Sequence, residues 1–318
     1  MNKIFKKLLK SPISFLDIGA LGYTYKPLEK FSGLFWYHGF DPVFKHDKKQ
    51  NSQLINSKKK WKKYTIHPYA LNDKKSDKVM FNIYNAETNN SFLRSNQFFV
   101  NRYNMHNKWS ISKKMHIKTQ TLNNIKNYSK DENFGDVMKI DTQGTELKIL
   151  MGSKNVIKNT KFIIAEAAFV HLYEKQNLFA ELEIFLRKNG FSFYCFTDLF
   201  YRSKKYLNKL KYLGRERMIY SDAIFIKDPY DQKHISKFNQ RDLAVIFICS
   251  LSFQLYDYAL EILNDMDIND NTKIKIKSYI LSLAKKTFIK AKVGKINVLE
   301  LEKKIKETKL FTNLKEYL

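Results

Sequence analysis

Short apolar segments alternate with amphipathic ones along the first two thirds of the chain, from Phe15 to Lys227. This alternation is typical of a parallel sheet whose strands are joined by crossover helices. The clearest helical period runs from Leu178 to Asn189, and Gly190 follows as a stop signal. The predicted strands are, in chain order, Ser14–Ile18, Leu34–Phe40, Tyr64–Ala70, Val137–Ile140, Phe162–Ala167, Ser192–Thr197 and Ile219–Ile226. The pattern therefore predicts an α/β domain with about seven strands.

Three segments depart from this alternation. Val79–Ala86 is predicted to be an extra, locally paired strand, and 89–112 a long polar loop of the kind that covers a site. The last two strands are joined by the basic stretch 202–217, in which no crossover helix is evident. We therefore expect the last strand to be antiparallel at the edge of the sheet.

After Asp228 and Pro229 the pattern becomes helical, beyond a polar linker. Helices are predicted near Asp242–Leu263, Thr272–Lys290 and Asn297–Leu310. The predicted organisation is a basic N-terminal helix at 1–13, an α/β domain at 14–228 and a small all-helical C-terminal domain at 229–318. We expect a chain that ends near Gln232 to fold by itself.

The formal charge of +26, from 57 Lys and Arg against 31 Asp and Glu, raises the question of a nucleic-acid partner. Nearly all of the cations are lysines, whereas arginine is the residue that contacts bases and phosphates in a bidentate way. The lysine runs, such as Lys58–Lys60, lie among Asn, Ser and Gln. The composition therefore predicts a solvated lysine surface and no nucleic-acid partner.

The two cysteines, Cys195 and Cys249, lie far apart in apolar segments, so we expect no disulfide framework and a reducing compartment. The longest apolar run, 243–253, is too short to cross a bilayer. We therefore expect a cytoplasmic protein with no transmembrane segment. Since Met1–Lys10 is basic and amphipathic, it is a candidate for peripheral membrane contact. The pattern predicts no particular oligomeric state.

The first chemical motif is the strand that contains Asp17 and ends in a turn of small residues, Gly19, Ala20 and Gly22. Small residues let a ligand approach the backbone closely, and the turn is expected to open a helix. A tight turn without a ligand would show the same residues.

The second motif, Gly39 to Pro42, places Asp41 at the end of the next strand, about twenty residues after the turn. In a Rossmann-like sheet an acid at this position meets the ribose of a nucleotide, because two carboxylate oxygens can accept from both hydroxyls of the diol. The alternative is an acid that only caps a turn.

The third motif runs from Met138 to Glu146 and again places an acid, Asp141, at a strand end. Since the carboxyl ends of parallel strands line one crevice, Asp141 is expected to face the same site as Asp17 and Asp41. Glu146 lies in the first turn of the next helix, where capping and a functional role are both open.

These motifs resemble those of the FkbM methyltransferases. The resemblance lies in the Asp17–Gly22 turn, the Gly39–Pro42 block and the 139–146 block, with weaker echoes at 70–73, 90–91, 172–181 and 221–225. It implies a Rossmann-like class I methyltransferase sheet, S-adenosylmethionine as cofactor, and O-methylation of a hydroxyl on a sugar, a glycan or a small metabolite. The cofactor-binding residues that it implies are Asp17, Gly19, Ala20, Gly22, Asp41, Pro42, Leu71, Asn72 and Asp141.

A hydroxyl acceptor must lose its proton, and the candidate bases are Asp141, Glu166 and His171. The resemblance requires no metal, and we assign no metal ligands. The alternative hypothesis is Mg²⁺ held between Asp141 and Glu166, since two carboxylates with waters suffice for this ion.

Two rival functions remain at this point. An NAD- or nucleotide-sugar-binding enzyme would use Asp41 in the same way, although the turn lacks the three-glycine pattern of a pyrophosphate site. The other rival is a non-catalytic binding module of glycan biosynthesis.

Overall fold

A computed structural model describes residues 1–20, 25–42, 58–204, 206, 215–231 and 238–293. Its contacts divide the chain into two compact units, residues 2–249 and residues 250–318 with Met1. The described strands are β1 (Ile13–Ile18), β2 (Phe35–Phe40), β3 (Lys63–His67), β4 (Ala70–Leu71), β5 (Ser76–Tyr84), β6 (Ile111–Gln120), β7 (Val137–Ile140), β8 (Phe162–Ala168), β9 (Ser192–Arg202) and β10 (Arg217–Ile226). The α-helices are α1 (Asn2–Leu9), α2 (Gln97–Tyr103), α3 (His106–Trp109), α4 (Leu122–Tyr128), α5 (Glu146–Met151), α6 (Lys154–Ile157), α7 (Phe179–Lys188), α8 (Gln240–Ser252), α9 (Tyr256–Asp265) and α10 (Asp270–Val293), and 3₁₀-helices cover Lys26–Leu34 and Glu87–Asn89.

The first unit is built on a seven-stranded sheet in the order β3-β2-β1-β7-β8-β10-β9. Strands β3, β2, β1, β7 and β8 pair in parallel, whereas β10 is antiparallel to both of its neighbours. The order reverses at β1, between β2 and β7, which is the topological switch point where open α/β sheets bind ligands. The predicted Rossmann-like methyltransferase sheet with an antiparallel last strand is confirmed.

The central strands form because they are apolar on both faces. Every residue of β1 and of β8 is buried, as expected for a parallel sheet covered on both sides. The main core packs one face of β7 and β8 against α5, α6 and α7, with Met138, Ile163 and Leu186 fully buried. This core fixes the carboxyl ends of the parallel strands at one edge of the sheet.

The three strands that follow β3 in the sequence form a second sheet, in the order β4-β6-β5. The expected strand 79–86 is present as β5, but its partner β6 was not predicted, and the loop expected at 89–112 overlaps only its first two residues. The segment 89–112 is also not a plain loop, since it contains α2 and α3. The side chain of Asn96 accepts from the backbone N–H of Phe98 and caps α2, and Asn104 ends this helix with a φ of 51°.

Helix α1 lies within the segment 1–13 that was predicted to be helical, and its apolar residues Phe5 and Leu9 are buried. Its exposed face carries Lys3, Lys6 and Lys7. Membrane contact through α1 would therefore be electrostatic. In the described part of the chain, no helix has both the length and the apolarity that crossing a bilayer requires.

Helix α8 begins inside the first unit, so the contact division falls after Cys249 and not after Asp228. Its residues 244–249 are fully buried, and Arg241 binds Asp136 next to β7. A chain that ends near Gln232 would lack all of these contacts. The structure therefore argues against our expectation that such a chain folds by itself.

The second unit contains the end of α8 together with α9 and α10. Helices α9 and α10 pack together, and the hydroxyls of Tyr256 and Thr287 lie 3.0 Å apart. The predicted helix at 242–263 is two helices, separated at Gln254, whose φ is 64°. The helix expected at 297–310 lies outside the described residues.

Candidate functional site

Five residues lie side by side across five strands at the carboxyl edge of the parallel strands. Ile18 is in register with Phe40 of β2 and Ile140 of β7, and Ile140 is in register with Ala165 of β8. The residues that follow are therefore level with one another, and Asp222 of β10 is in register with Glu166. We call these five the site row: Asp41, Gly19, Asp141, Glu166 and Asp222.

All five residues of the site row line a cavity of about 820 Å³, a volume within the range of small-molecule sites. The other residues that line the cavity are largely apolar and aromatic. They include Phe81, Phe92, Phe99, Trp109, Leu172, Phe200 and Tyr220. Asn89, Asn90, Lys108 and Arg202 add polar and cationic groups. The cavity thus joins a carboxylate floor to an aromatic wall.

Gly19 is required by the close approach of β7. Its φ is +87°, and a Cβ at this position would lie 1.9 Å from the carbonyl oxygen of Asp141. The N–H groups of Gly19 and Ala20 both donate to the carbonyl of Phe40, at 3.1 and 3.2 Å. These two amides are therefore already used inside the protein.

Asp17 lies beneath the row and does not line the cavity. Tyr37 donates its hydroxyl to Asp17 Oδ2 at 2.9 Å, whereas Oδ1 is buried without a hydrogen-bond partner among the described residues. Burial raises the pKa of Asp17, although Lys139 and the Tyr37 hydrogen bond oppose the rise. The structure thus separates Asp17 from the ligand-facing acids with which sequence reasoning grouped it.

Gln143 connects two acids of the row. Its side-chain Nε2 donates to Asp141 Oδ1 at 2.8 Å and to Glu166 Oε2 at 3.1 Å. The hydroxyl of Tyr173, a fully buried residue, donates to Gln143 Oε1 at 3.0 Å. The other oxygen of Asp141 accepts from Lys139 Nζ at 3.0 Å. Both oxygens of Asp141 are thus engaged.

Glu146 holds the turn between β7 and α5. Its buried carboxylate accepts from the N–H groups of Thr142 and Gly144 at 2.9 and 3.0 Å. Of the two roles that the sequence left open, the structure supports capping, which fits an acid in the first turn of a helix.

The acids of the site row repel one another. Burial and the charges of Asp141, Glu146 and Asp222 raise the pKa of Glu166 well above its ordinary value. Burial and Asp141 raise the pKa of Asp222 to about 6, with Lys139 opposing. Burial alone would lower the pKa of Lys139, but the neighbouring carboxylates of Asp141, Asp17 and Asp222 hold it above its ordinary value. Both Glu166 and Asp222 therefore hold a proton more tightly than an ordinary carboxyl group.

The other predicted residues divide by position. Pro42 and Leu71 line the cavity, and Ala20 and Asn72 do not. Asn72 is used locally, since its Oδ1 accepts from the N–H of Asp73. His171 is exposed and lies off the cavity lining, so the structure does not bring it to the acids. Gly22 lies outside the described residues.

The donor set does not fit Mg²⁺. Among the described residues, no cluster of three His, Cys, Asp or Glu side chains could hold a metal ion. Between Asp141 and Glu166, where the ion was hypothesised, the Gln143 amide donates to both carboxyl groups. A hydrogen-bond donor in this position takes the place of the cation.

Sequence reasoning missed three residues of the site: Gln143, Tyr173 and Asp222. Gln143 lay inside the third motif, but an amide that follows an acid does not reveal by itself which groups it bridges. Asp222 carried a usable signal, because it is an acid inside the otherwise apolar segment 218–226. An acid in such a strand is costly unless it faces a polar site.

Residues 17–193, over half of the chain, match the family model described as the methyltransferase FkbM domain. Among curated proteins, none is detectably similar in sequence. Similar solved structures include a methyltransferase FkbM from Methylobacillus flagellatus KT, at 12% identity over 68% of this chain and with a TM-score of 0.35. The match spans 43% of that protein.

Two other methyltransferases are similar at the same level. Magnesium protoporphyrin IX methyltransferase from Synechocystis PCC 6803, solved with bound S-adenosylmethionine, is 11% identical over 71% of this chain and 77% of its own, with a TM-score of 0.32. Precorrin-6y C5,15-methyltransferase from Geobacter metallireducens GS-15 is 10% identical over 71% and 87%, with a TM-score of 0.31.

Proposed function

The chain belongs to the FkbM methyltransferase family, and we propose that it transfers the methyl group of S-adenosylmethionine to a hydroxyl of a sugar, glycan or small metabolite. The observation that carries the proposal is the site row, which sets four carboxyl groups around Gly19 along one cavity. The sulfonium of the donor is a cation, and a cavity lined by acids attracts it.

The residues present fit this cofactor. Asp41 lines the cavity beside the Gly19 turn, at the strand end where a carboxylate meets the hydroxyls of a ribose diol in a Rossmann-like sheet. Glycine at position 19 keeps the backbone accessible at the switch point of the sheet. When bound, the cofactor supplies an activated methyl carbon, and the protein contributes orientation and removal of the acceptor proton.

The same features disfavour a dinucleotide. A pyrophosphate needs free backbone N–H groups and a positive environment. Here the N–H groups of Gly19 and Ala20 donate to Phe40, and the row is rich in carboxyl groups. We therefore rank the NAD-type enzyme below the methyltransferase.

A sugar acceptor is supported by the aromatic residues that line the cavity. Aromatic rings such as Trp109 and Tyr220 offer flat apolar surfaces, and the carboxyl groups accept hydrogen bonds from hydroxyls. The two together suit a ring with apolar faces and polar edges.

Thermal melting followed by a transfer assay tests the proposal. S-adenosylhomocysteine at about 100 times its Kd should raise the melting temperature by about 5 °C or more, because binding adds about 2.7 kcal/mol to stability. NAD should have no effect. Protein, methyl-labelled S-adenosylmethionine and a panel of methyl glycosides should then yield a labelled glycoside. Stabilisation by NAD alone would overturn the proposal, and binding without transfer to any panel member would favour the non-catalytic module.

A further inference from the structure

The acid best placed to take the acceptor proton lies outside the segment that matches the family model. Asp222 is on β10, beyond residues 17–193, and is in register with Glu166 on β8. It lines the cavity at the end of the site row, opposite the end that holds Asp41. Three strands, β1, β7 and β8, lie between β2 and β10. Asp41 and Asp222 are therefore far enough apart in the sheet for one to bind ribose and the other to meet the acceptor.

The other acids of the row are less suited to accept a proton. Both oxygens of Asp141 are occupied, one by Lys139 and one by Gln143. Glu166 accepts from Gln143 as well, through Oε2 at 3.1 Å. These contacts leave Asp222 as the acid of the row best placed to take a proton on the side away from Asp41.

We propose that Asp222 is the general base that deprotonates the acceptor hydroxyl, an inference that rests on the proposed function. As the hydroxyl oxygen attacks the methyl carbon, its lone pair forms the new C–O bond. The C–S bond breaks, and its electrons remain on sulfur, which becomes a neutral thioether. The hydroxyl proton moves to the Asp222 carboxylate and is later released to water.

The surroundings of Asp222 determine its pH dependence. Six titratable groups surround Asp222. Two belong to the β7 region: Lys139 lies on β7, and Asp141 directly follows that strand. The others are Glu166 on β8, Asp198 on β9, Tyr220 on the same strand as Asp222, and Tyr25, which precedes the first 3₁₀-helix. Burial, Asp141 and Asp198 raise the pKa of Asp222 to about 6, and Lys139 opposes them. This value suits a general base, which works best with a pKa near the operating pH.

The test compares Asp222→Asn with Asp198→Asn in the full-length protein. Asparagine keeps the shape of the side chain but cannot take the proton, so kcat with a methyl glycoside should fall about 10²- to 10⁴-fold. S-adenosylhomocysteine affinity and the melting curve should remain close to wild type. Asp198 is exposed and off the cavity lining, so its variant should keep kcat.

The pH profile separates a base from a structural acid. Wild-type kcat should fall below a midpoint near pH 6, Asp198→Asn should move this midpoint to lower pH, and Asp222→Asn should lack it. Carbon-13 spectra of aspartate-labelled protein, free of acceptor, should show a carboxyl signal that titrates near pH 6 in the wild type and is missing from Asp222→Asn.

The possible failures are distinguishable. Three results would each overturn the role of Asp222. They are wild-type turnover in Asp222→Asn, a fall of kcat at low pH that is unchanged in that variant, and an Asp222 signal that titrates at the ordinary aspartate value. Wild-type protein that fails to bind S-adenosylhomocysteine, or that binds it without transfer to any glycoside, would instead count against the proposed function. The carbon-13 titration still tests Asp222 in that case.

Discussion

Replacing Arg241 by methionine should destabilise the first unit strongly, because Arg241 is the main partner of a buried acid. Its guanidinium binds both carboxylate oxygens of Asp136, at 2.7 and 3.0 Å, and also donates to Ser11 Oγ and to the carbonyl of Pro12. Asp136 is 2% exposed, so an ionised carboxylate left alone there cannot turn to water.

The size of the effect follows from what remains around Asp136. Removing one partner of a buried ion pair costs about 3–5 kcal/mol. The N–H of Ser14 still donates to Asp136 Oδ2 at 3.1 Å, and Lys161 Nζ lies 3.9 Å from Oδ1. These contacts place the expected loss near the lower end, about 3 kcal/mol, which lowers the melting temperature by about 6–12 °C.

The loss should also depend on pH. Burial raises the pKa of Asp136, and the Arg241 charge opposes that rise, so the pKa should be higher still in Arg241→Met. A carboxyl whose pKa is higher in the folded state binds a proton more readily there, so its stability contribution falls as pH increases. The free energy of unfolding that Arg241→Met loses relative to wild type should therefore be larger at pH 8 than at pH 5.

Urea unfolding of wild type, Arg241→Met, Asp136→Asn and the double variant measures this directly. The double variant should be more stable than Arg241→Met, because asparagine carries no charge to leave unpaired. A single variant within about 0.5 kcal/mol of wild type, the usual range for a surface change, would refute the reasoning, as would a double variant less stable than Arg241→Met.

Gly19→Ala should lower S-adenosylhomocysteine affinity at least tenfold in a calorimetric titration, because a left-handed alanine costs about 1–2 kcal/mol and its Cβ would displace the Asp141 carbonyl. Gly33→Ala is the matched control, since no atom lies within 4 Å of a Cβ at that position, and equal affinity in both variants would remove the steric argument. Tyr173→Phe should cost about 1–3 kcal/mol in urea unfolding and lower kcat more than cofactor affinity, since it releases Gln143 from its hydrogen bond. An unchanged kcat would show that this hydrogen bond does not position the site.

The sheet was predictable because its strands are short apolar runs that end in acids or small residues. β1 and β7 show this pattern, and residues buried on both faces give a signal that local sequence carries in full. The sequence of β6 shows no such pattern, because Ile111–Gln120 contains three exposed lysines and becomes a strand by pairing with β5.

Short helices and helix breaks were also hidden. Helix α2 spans only Gln97–Tyr103, about two turns, which is too short for a period to be recognised. The break between α8 and α9 falls at Gln254, in a left-handed conformation without the glycine or proline that usually marks such a point.

The site was predictable as far as its acids stand at strand ends. Asp41 and Asp141 follow predicted strands in the sequence, and both line the cavity. Asp17 was grouped with them, because the sequence does not show that Tyr37 on the neighbouring strand donates a hydrogen bond to its carboxylate. Gln143 could not be assigned either, since the bridge it makes joins two strands.

Calorimetric titration of S-adenosylhomocysteine into wild type and Asp41→Ala tests the central claim most directly. Asp77→Ala, which alters an exposed acid away from the cavity, is the control. A carboxylate that holds the ribose diol contributes about 1.5–3 kcal/mol, so the affinity of Asp41→Ala should fall about 10- to 150-fold while the control matches wild type. Equal affinity in wild type and Asp41→Ala, or wild-type protein that binds NAD and not S-adenosylhomocysteine, would contradict the account.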